Sequence, residues 1–407
     1  MSERFRTVFG LAFSQTCKRP MVWVLLTILV LLTWGLSLGN VRISSGDASV
    51  GGKKAWLTSE FSVAFQLVIV VGLLDYFFLS IAAGTIILED DEQRITELLG
   101  ATPLSPAEYV WGKFLGVGAA FLGVLLCHLV MIILFNQFLP NASAADIRGP
   151  FSLASYLRPT LIFALPTLLF FAGVAFYLGE RYRRPVLVFL LPVASFLLCA
   201  FFLWEWSPTW LDLRINRLLM FVDPTGFRWL NETWFKLDRG VDFYNHAHIR
   251  FDLPFLLNRL VLLLCGFGGV ALAQRDLTRR ARGLVAPEGG RRRRTERPAS
   301  PAEVPVALPL EGRPDLGARI AGSGFVRGTV VVARAELRAL FSQVGLYLFI
   351  PLILAQTLGS NLLALGAFDT ELLLTPGLLA VRTMNTLTFL LVVLLLFYTV
   401  ESLERER

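Results

Sequence analysis

"FSVAFQLVIVVGLLDYFFLSIAAGTIIL", residues 61–88, carries one formally charged side chain, Asp75. A hydrocarbon core of about 30 Å needs about 20 residues of helix, so this run is long enough to cross a bilayer. Seven more apolar runs accompany it, at roughly 21–39, 112–140, 160–178, 185–204, 253–273, 345–365 and 378–400. The pattern predicts an all-α, polytopic helical membrane protein with about eight transmembrane helices. Composition agrees. In 407 residues, 55% are hydrophobic, 33 are phenylalanine and only 17% are charged, which is more apolar surface than a soluble core of this size hides.

Charge orients these spans. Arg4, Arg6, Lys18 and Arg19 precede the first run, so a positive-inside bias puts the N-terminus in the cytoplasm. Alternation then places residues 87–114, the turn ERYRR at 180–184 and the segment 274–325, with Arg291 to Arg294 in a row, on the same inner side. An even number of spans returns the C-terminus to that side. The segment 205–252 falls outside, with Trp204, Trp206 and Trp210 expected at the outer interface, where an indole is half buried and still uses its N–H. The run 21–39 is too long for a signal peptide and no small-residue cleavage site follows it. The net charge of +7 needs no nucleic acid to explain it, because the arginines flank apolar runs. Cys17, Cys127, Cys199 and Cys265 stand singly among apolar residues, without metal-ligand or disulfide spacing, and read as inert packing residues.

A partial duplication follows. Phe5, Val8, Phe9, Ala12, Phe13 and Thr16 form an apolar stripe predicting an interfacial helix over 2–19, lying flat on the inner leaflet. Val330, Ala333, Leu337, Leu340 and Phe341 form another, predicting a second such helix over 326–342. Both end in Phe-Ser-Gln, at Phe13 to Gln15 and Phe341 to Gln343, and both lead into a span, an outer loop and a span closed by acids: Glu89 and Glu92, then Glu401 and Glu404. Three segments result: a first half at 1–275, a disordered Arg/Pro/Gly-rich cytoplasmic linker at 276–325, and the opening of a second half at 326–407. Two readings stay open here, a truncated or split form of a roughly twelve-span protein and an eight-span permease that dimerises.

The inner loop after residue 88 is built rather than slack. No helix breaker except Gly84 lies between Ile81 and Leu99, so the helix is expected to run on past the headgroups with Glu89, Glu92, Arg94 and Glu97, ending at Gly100 and Pro103. Ser105, Pro106 and Glu108 then make a helix start in which hydroxyl and carboxylate satisfy each other's backbone amides. A solvated face would explain the charges, but Leu98, Leu99 and Leu104 beside them point to a docking surface.

At these residues, with ITELLGATP at 95–103, Leu104-Ser105 and Gly112-Lys113-Phe114, the chain resembles the permease subunits of type-2 ABC transporters. The resemblance implies that the loop is a coupling helix inserted into a separate ATPase subunit, with ATP and Mg²⁺ bound by that partner and no cofactor in this chain. It further implies a bacterial cytoplasmic membrane, an unknown substrate that is most simply exported, and a second permease chain or half across the transport path. FVDPTGFRWL at 221–230, Asp238-Arg239-Gly240 and Tyr244-Asn245 are similar to large bacterial permeases fused to a C-terminal zinc aminopeptidase, although H-E-x-x-H is absent. Neither a peptidase nor an ATPase is expected in this chain. The nearest imitation of a phosphate loop, GDASVGGKK at 46–54, has its lysine one place late and no Ser or Thr after it. A scaffold anchoring a peptidase or regulator and an ion-coupled carrier are the alternatives.

Two further features invite a role. Asp75 is costly at mid-span unless it finds a partner, and His128 is its candidate. At 1.5 Å per residue, Asp75 lies about 21 Å from Glu89 and His128 about 24 Å from Gly112, similar depths on adjacent helices. That pair reads either as a substrate or proton contact or as a structural hydrogen bond. His246 and His248 could meet a metal from an extended strand, but no third ligand accompanies them, so a solvated loop is expected and no metal site is assigned.

Overall fold

The computed structural model describes residues 3–37, 44–45, 48–49, 55–92, 103–138, 147–204 and 211–281, with scattered positions between 329 and 395. The chain divides into two compact units, Met1–Ala286 with Ala367–Thr370, and Pro287–Gly366 with Glu371–Arg407. The second interfacial helix, the two last spans and the linker beyond 281 therefore lie outside the described residues, apart from those scattered positions.

Among the described residues the first unit is helical save for short connections and a two-residue antiparallel ladder of β1 (Ser44–Ser45) and β2 (Ala48–Ser49). α1 (Glu3–Lys18) and α2 (Pro20–Gly35) meet at a 57° bend. The cause is local: Arg19 precedes a proline and is held extended at φ −66°, ψ 131°, and Pro20 starts the next helix at a position that needs no N–H. α1 also packs against the bundle. Its Val8, Phe9, Ala12 and Phe13 press against Gly112 and Gly116 of α5 (Pro106–Ile133), where an added Cβ on Gly116 would stand 2.7 Å from Ala12 Cβ. Phe13 makes that contact through its backbone, and its side chain and that of Leu11 stay exposed.

α3 (Glu60–Val70), the π-helical turn Val71–Asp75 and α4 (Tyr76–Glu92) form one continuous rod buried on nearly every face. α5 continues through a π turn at Leu134–Phe138. α6 (Leu153–Pro159), a π turn at Thr160–Ala164 and α7 (Leu165–Tyr182) follow as another rod, whose widened turn sits where Pro159 withdraws a backbone donor. α8 (Pro185–Leu198) extends as a π turn to Trp204, and α12 (Leu253–Ala281) closes the unit. Between them lie α9 (Leu213–Val222), α10 (Phe227–Leu230) with a π turn at Asn231–Phe235, and α11 (Val241–His246). Each of the six apolar runs expected in this unit is helical over its described residues. Among the described residues three helices, Pro106–Phe138, Leu153–Tyr182 and Leu253–Arg280, are long and apolar enough to cross a bilayer, or four if α1 and α2 count as one bent span. α12 also runs beyond the expected end at 273, because Gln274, Asp276 and Arg280 find partners on α5 and α7.

Packing rests on small residues. A Cβ on Gly173 of α7 would fall 2.0 Å from the carbonyl oxygen of Gly266 on α12, so these two backbones touch directly. α4 is packed between α7, α8 and α5. The main core joins Leu25, Leu29, Tyr76, Phe114, Phe121, Phe171 and Phe176. A second, aromatic core at the other end gathers Phe61, Phe163, Trp229, Phe235, Tyr244 and Phe255. Residues 211–252 of the segment expected outside thus form a folded cap. Outward faces are as apolar as the core: Leu115, Leu122, Leu126, Val130 and Leu134 run down α5, and Leu256, Leu260, Leu264 and Phe267 down α12. The free cysteines differ in setting, Cys199 buried, Cys127 and Cys265 on exposed faces.

Candidate functional site

The start of α5 is the best-defined edge of the expected coupling loop. Ser105 Oγ accepts the Glu108 amide at 3.2 Å, and Glu108 Oε2 accepts the Ser105 amide at 3.0 Å, the reciprocal cap expected from Ser-Pro-x-Glu. Pro103 is exposed, and its carbonyl accepts from the Arg4 guanidinium of α1. Leu104 is half buried against the main core. Arg94, Glu97, Leu98 and Leu99 lie outside the described residues. Glu92 ends α4.

Two carboxylates near the end of α4, Glu89 and Asp90, are paired. Arg19 donates to Glu89 Oε2 at 2.5 Å and to Thr85 Oγ1 at 3.1 Å, tying the α1–α2 joint to α4. Asp90, unremarked in the sequence, receives the Lys113 ammonium and the Tyr109 hydroxyl, the latter at 2.7 Å. Lys113 is 5% exposed and also donates to the Ile86 carbonyl at 3.1 Å. The available signal was the spacing of Tyr109 and Lys113, four apart on one face of a helix start, opposite an acidic helix end.

This lattice continues sideways. Trp111 Nε1 donates to Gln274 Oε1 at 2.7 Å, Arg181 pairs with Asp276 at 3.4 Å, and buried Glu180 receives Arg280 at 3.1 Å. α7 and α8 are joined by a two-residue turn in which Arg183 takes the left-handed conformation at φ 50°. The described parts of the three segments that charge and alternation assign to the inside, 87–114, 180–184 and 274–325, thus meet at one end of the bundle, at residues 89–90 and 109–113, 180–181 and 274–280. Segments assigned outside meet at the other. There Glu60 Oε2 receives Arg158 at 3.1 Å and His248 at 2.8 Å, so His248 is anchored rather than solvated alone. His246 instead faces Asp242 at 3.1 Å and Trp56, so the two histidines serve different partners.

The DPTG stretch forms a buried knot at that same end. Asp223 Oδ1 accepts the Thr225 amide and hydroxyl at 2.9 and 2.7 Å, and Oδ2 accepts the Arg228 amide at 2.8 Å. Arg228 is fully buried, donates to Asn216 Oδ1 at 2.7 Å and to the Leu203 carbonyl at 2.8 Å, and its pKa is lowered by burial, against the pull of Glu232 and Asp223. Gly226, at φ +80°, turns the chain where a side chain would strike Arg259. Trp204 gives its N–H to Thr225 Oγ1 at 3.0 Å, while Trp206 and Trp210 lie outside the described residues.

Asp75 and His128 do come together. Asp75 Oδ2 stands 3.7 Å from His128 Nδ1, both residues are at most 2% exposed, and neither Asp75 oxygen nor His128 Nδ1 has a hydrogen-bond partner among the described residues. The separation exceeds hydrogen-bond range, so the pair is close without being joined. Asp75 ends the π turn of the central rod, a kind of distortion that recurs at functional positions. No protein-family model matches this chain, and no curated protein matches it.

Proposed function

We propose that this chain is the membrane-spanning permease part of an ATP-binding cassette transporter of the type-2 kind, driven by a separate ATPase subunit. In this reading it is a multi-pass protein of about eight spans in a bacterial cytoplasmic membrane, with both termini inside. The apolar outward faces of α5 and α12 support the membrane location, since water-facing helices do not present leucine stripes several turns long.

One observation carries the functional reading. The loop that joins α4 to α5 is flanked by two ion pairs, Arg19 with the half-exposed Glu89 and the largely buried Lys113–Asp90, and its Pro103 carbonyl is touched by Arg4. A push on it is therefore delivered to α1, α2, α4 and α5 together, which a coupling element requires and a slack connector does not. Pro106–Phe138, 33 residues long, measures about 50 Å, against a core of about 30 Å, leaving length for its first turns to reach an inner partner.

The test is biochemical. The purified chain should bring down an ATP-binding cassette ATPase, and Leu99→Asp or Glu97→Arg should weaken that association without unfolding the chain. A cysteine at Thr96 that an impermeant reagent labels from outside intact cells would put the loop on the wrong side and end the proposal. A second reading, an ion-coupled carrier, is favoured by the unjoined Asp75–His128 pair alone. Transport that needs ATP but no ion gradient separates the two.

A further inference from the structure

α9 and the first turn of α12 enclose a half-open cavity of about 330 Å³ at the end where α12 begins. Its floor is aromatic and apolar: Trp229 and Phe255, stacked with ring centroids 4.0 Å apart, with Met220 and Phe221. Its exposed rim holds one cation and one anion, Arg217 and Asp252, and neither side chain has an ion pair or hydrogen bond among the described residues.

The surroundings say what kind of ligand reaches this place. Ile215, Leu218 and Val222 of α9 and Leu253, Leu256, Leu257 and Leu260 of α12 are all exposed, so the cavity opens between apolar faces. It sits at the end of a membrane-length helix, the depth at which phospholipid headgroups lie. We propose that this cavity is a phospholipid site selective for zwitterionic lipids with a primary ammonium headgroup. Arg217 meets the phosphate, Asp252 accepts from the ammonium, the glycerol region lies over the aromatic floor, and the acyl chains lie along the leucines of α9 and α12. Phosphate is a strong partner for a planar guanidinium. An ammonium has three N–H donors for a carboxylate, whereas a quaternary choline has none, which is the source of selectivity.

This proposal rests on the membrane location given above and not on ATP coupling. The test is native mass spectrometry of the full chain released from nanodiscs containing equal phosphatidylethanolamine, phosphatidylcholine and phosphatidylglycerol. One phosphatidylethanolamine should be retained in about tenfold preference to the others, the equivalent of one charge-assisted hydrogen bond. Arg217→Ala should lower retention of every phospholipid, while Asp252→Asn should reduce phosphatidylethanolamine to the phosphatidylcholine level. Both residues are exposed, so neither substitution removes packing. Equal retention of the three lipids, or an ethanolamine preference untouched by both substitutions, overturns the proposal. Failure to enter nanodiscs of any composition would instead count against the membrane location.

Discussion

Replacing Lys113 by methionine isolates the inner lattice. Methionine keeps the length and apolar body of the side chain and removes only the ammonium. Asp90 would then keep the Tyr109 hydroxyl at 2.7 Å but lose its counter-charge, with its side chain 14% exposed. Removing one partner of a buried pair costs about 3–5 kcal/mol. The surviving hydrogen bond and residual exposure place this case at the low end, about 3 kcal/mol, or a fall in Tm of about 6–12 °C for a unit of this size. Adding Asp90→Asn removes the stranded charge, so the double variant should recover about 2 kcal/mol relative to the sum of the single changes. Thermal unfolding of the four proteins in one detergent, followed by tryptophan fluorescence, completes the cycle. A Lys113→Met protein that melts within about 1 °C of the parent, or a double variant with no recovery, would refute the buried pair.

Other expectations follow from separate places in the fold. Gly173→Ala should force α7 from α12 and cost about 1–3 kcal/mol in thermal unfolding, whereas Gly118→Ala, with open space at its Cβ, should be neutral or slightly stabilising. Asp75→Asn should leave stability within about 1 kcal/mol, since no hydrogen bond is lost, while reducing transport measured in vesicles if the pair meets substrate or proton. Burial raises the pKa of Tyr244, whose hydroxyl is shared between the Trp234 and Leu237 carbonyls at 2.9 and 3.1 Å. The sign follows from linkage: the unfolded phenol, at about 10, ionises first, so the stabilisation is complete below that pH and is lost as pH rises through the folded value. Alkaline melting of the aromatic cap, read by near-ultraviolet circular dichroism, should accordingly flatten in Tyr244→Phe.

Much of the helical architecture was legible because its signals are local. The apolar runs of the first unit, the cap formed by Ser105 and Glu108, and the break at Arg19-Pro20 each depend on residues within a turn or two. The depth argument for Asp75 and His128 also needed only helical rise, and the two lie 3.7 Å apart. Charge pairing was less accessible. Glu89 read as an outward probe of the loop, yet Arg19 holds it from 70 positions away. Asp90 looked like one acid among several until Lys113 and Tyr109 closed on it. Asp223-Pro224-Thr225-Gly226 announces a turn, but nothing in that motif foretells that Arg259 donates to the Pro224 carbonyl.

Hydrophobic transfer adds up residue by residue along the chain, so which segments are helical and apolar enough to leave water could be read from one dimension. Contact between non-neighbours obeys a different rule. The meeting of Gly173 with Gly266, the folding of 211–252 into an aromatic cap, and the choice of a partner for each buried charge depend on which helix faces turn toward one another. That orientation is settled by the fit of the whole bundle, where a shift of an ångström separates a satisfied ion pair from a stranded one.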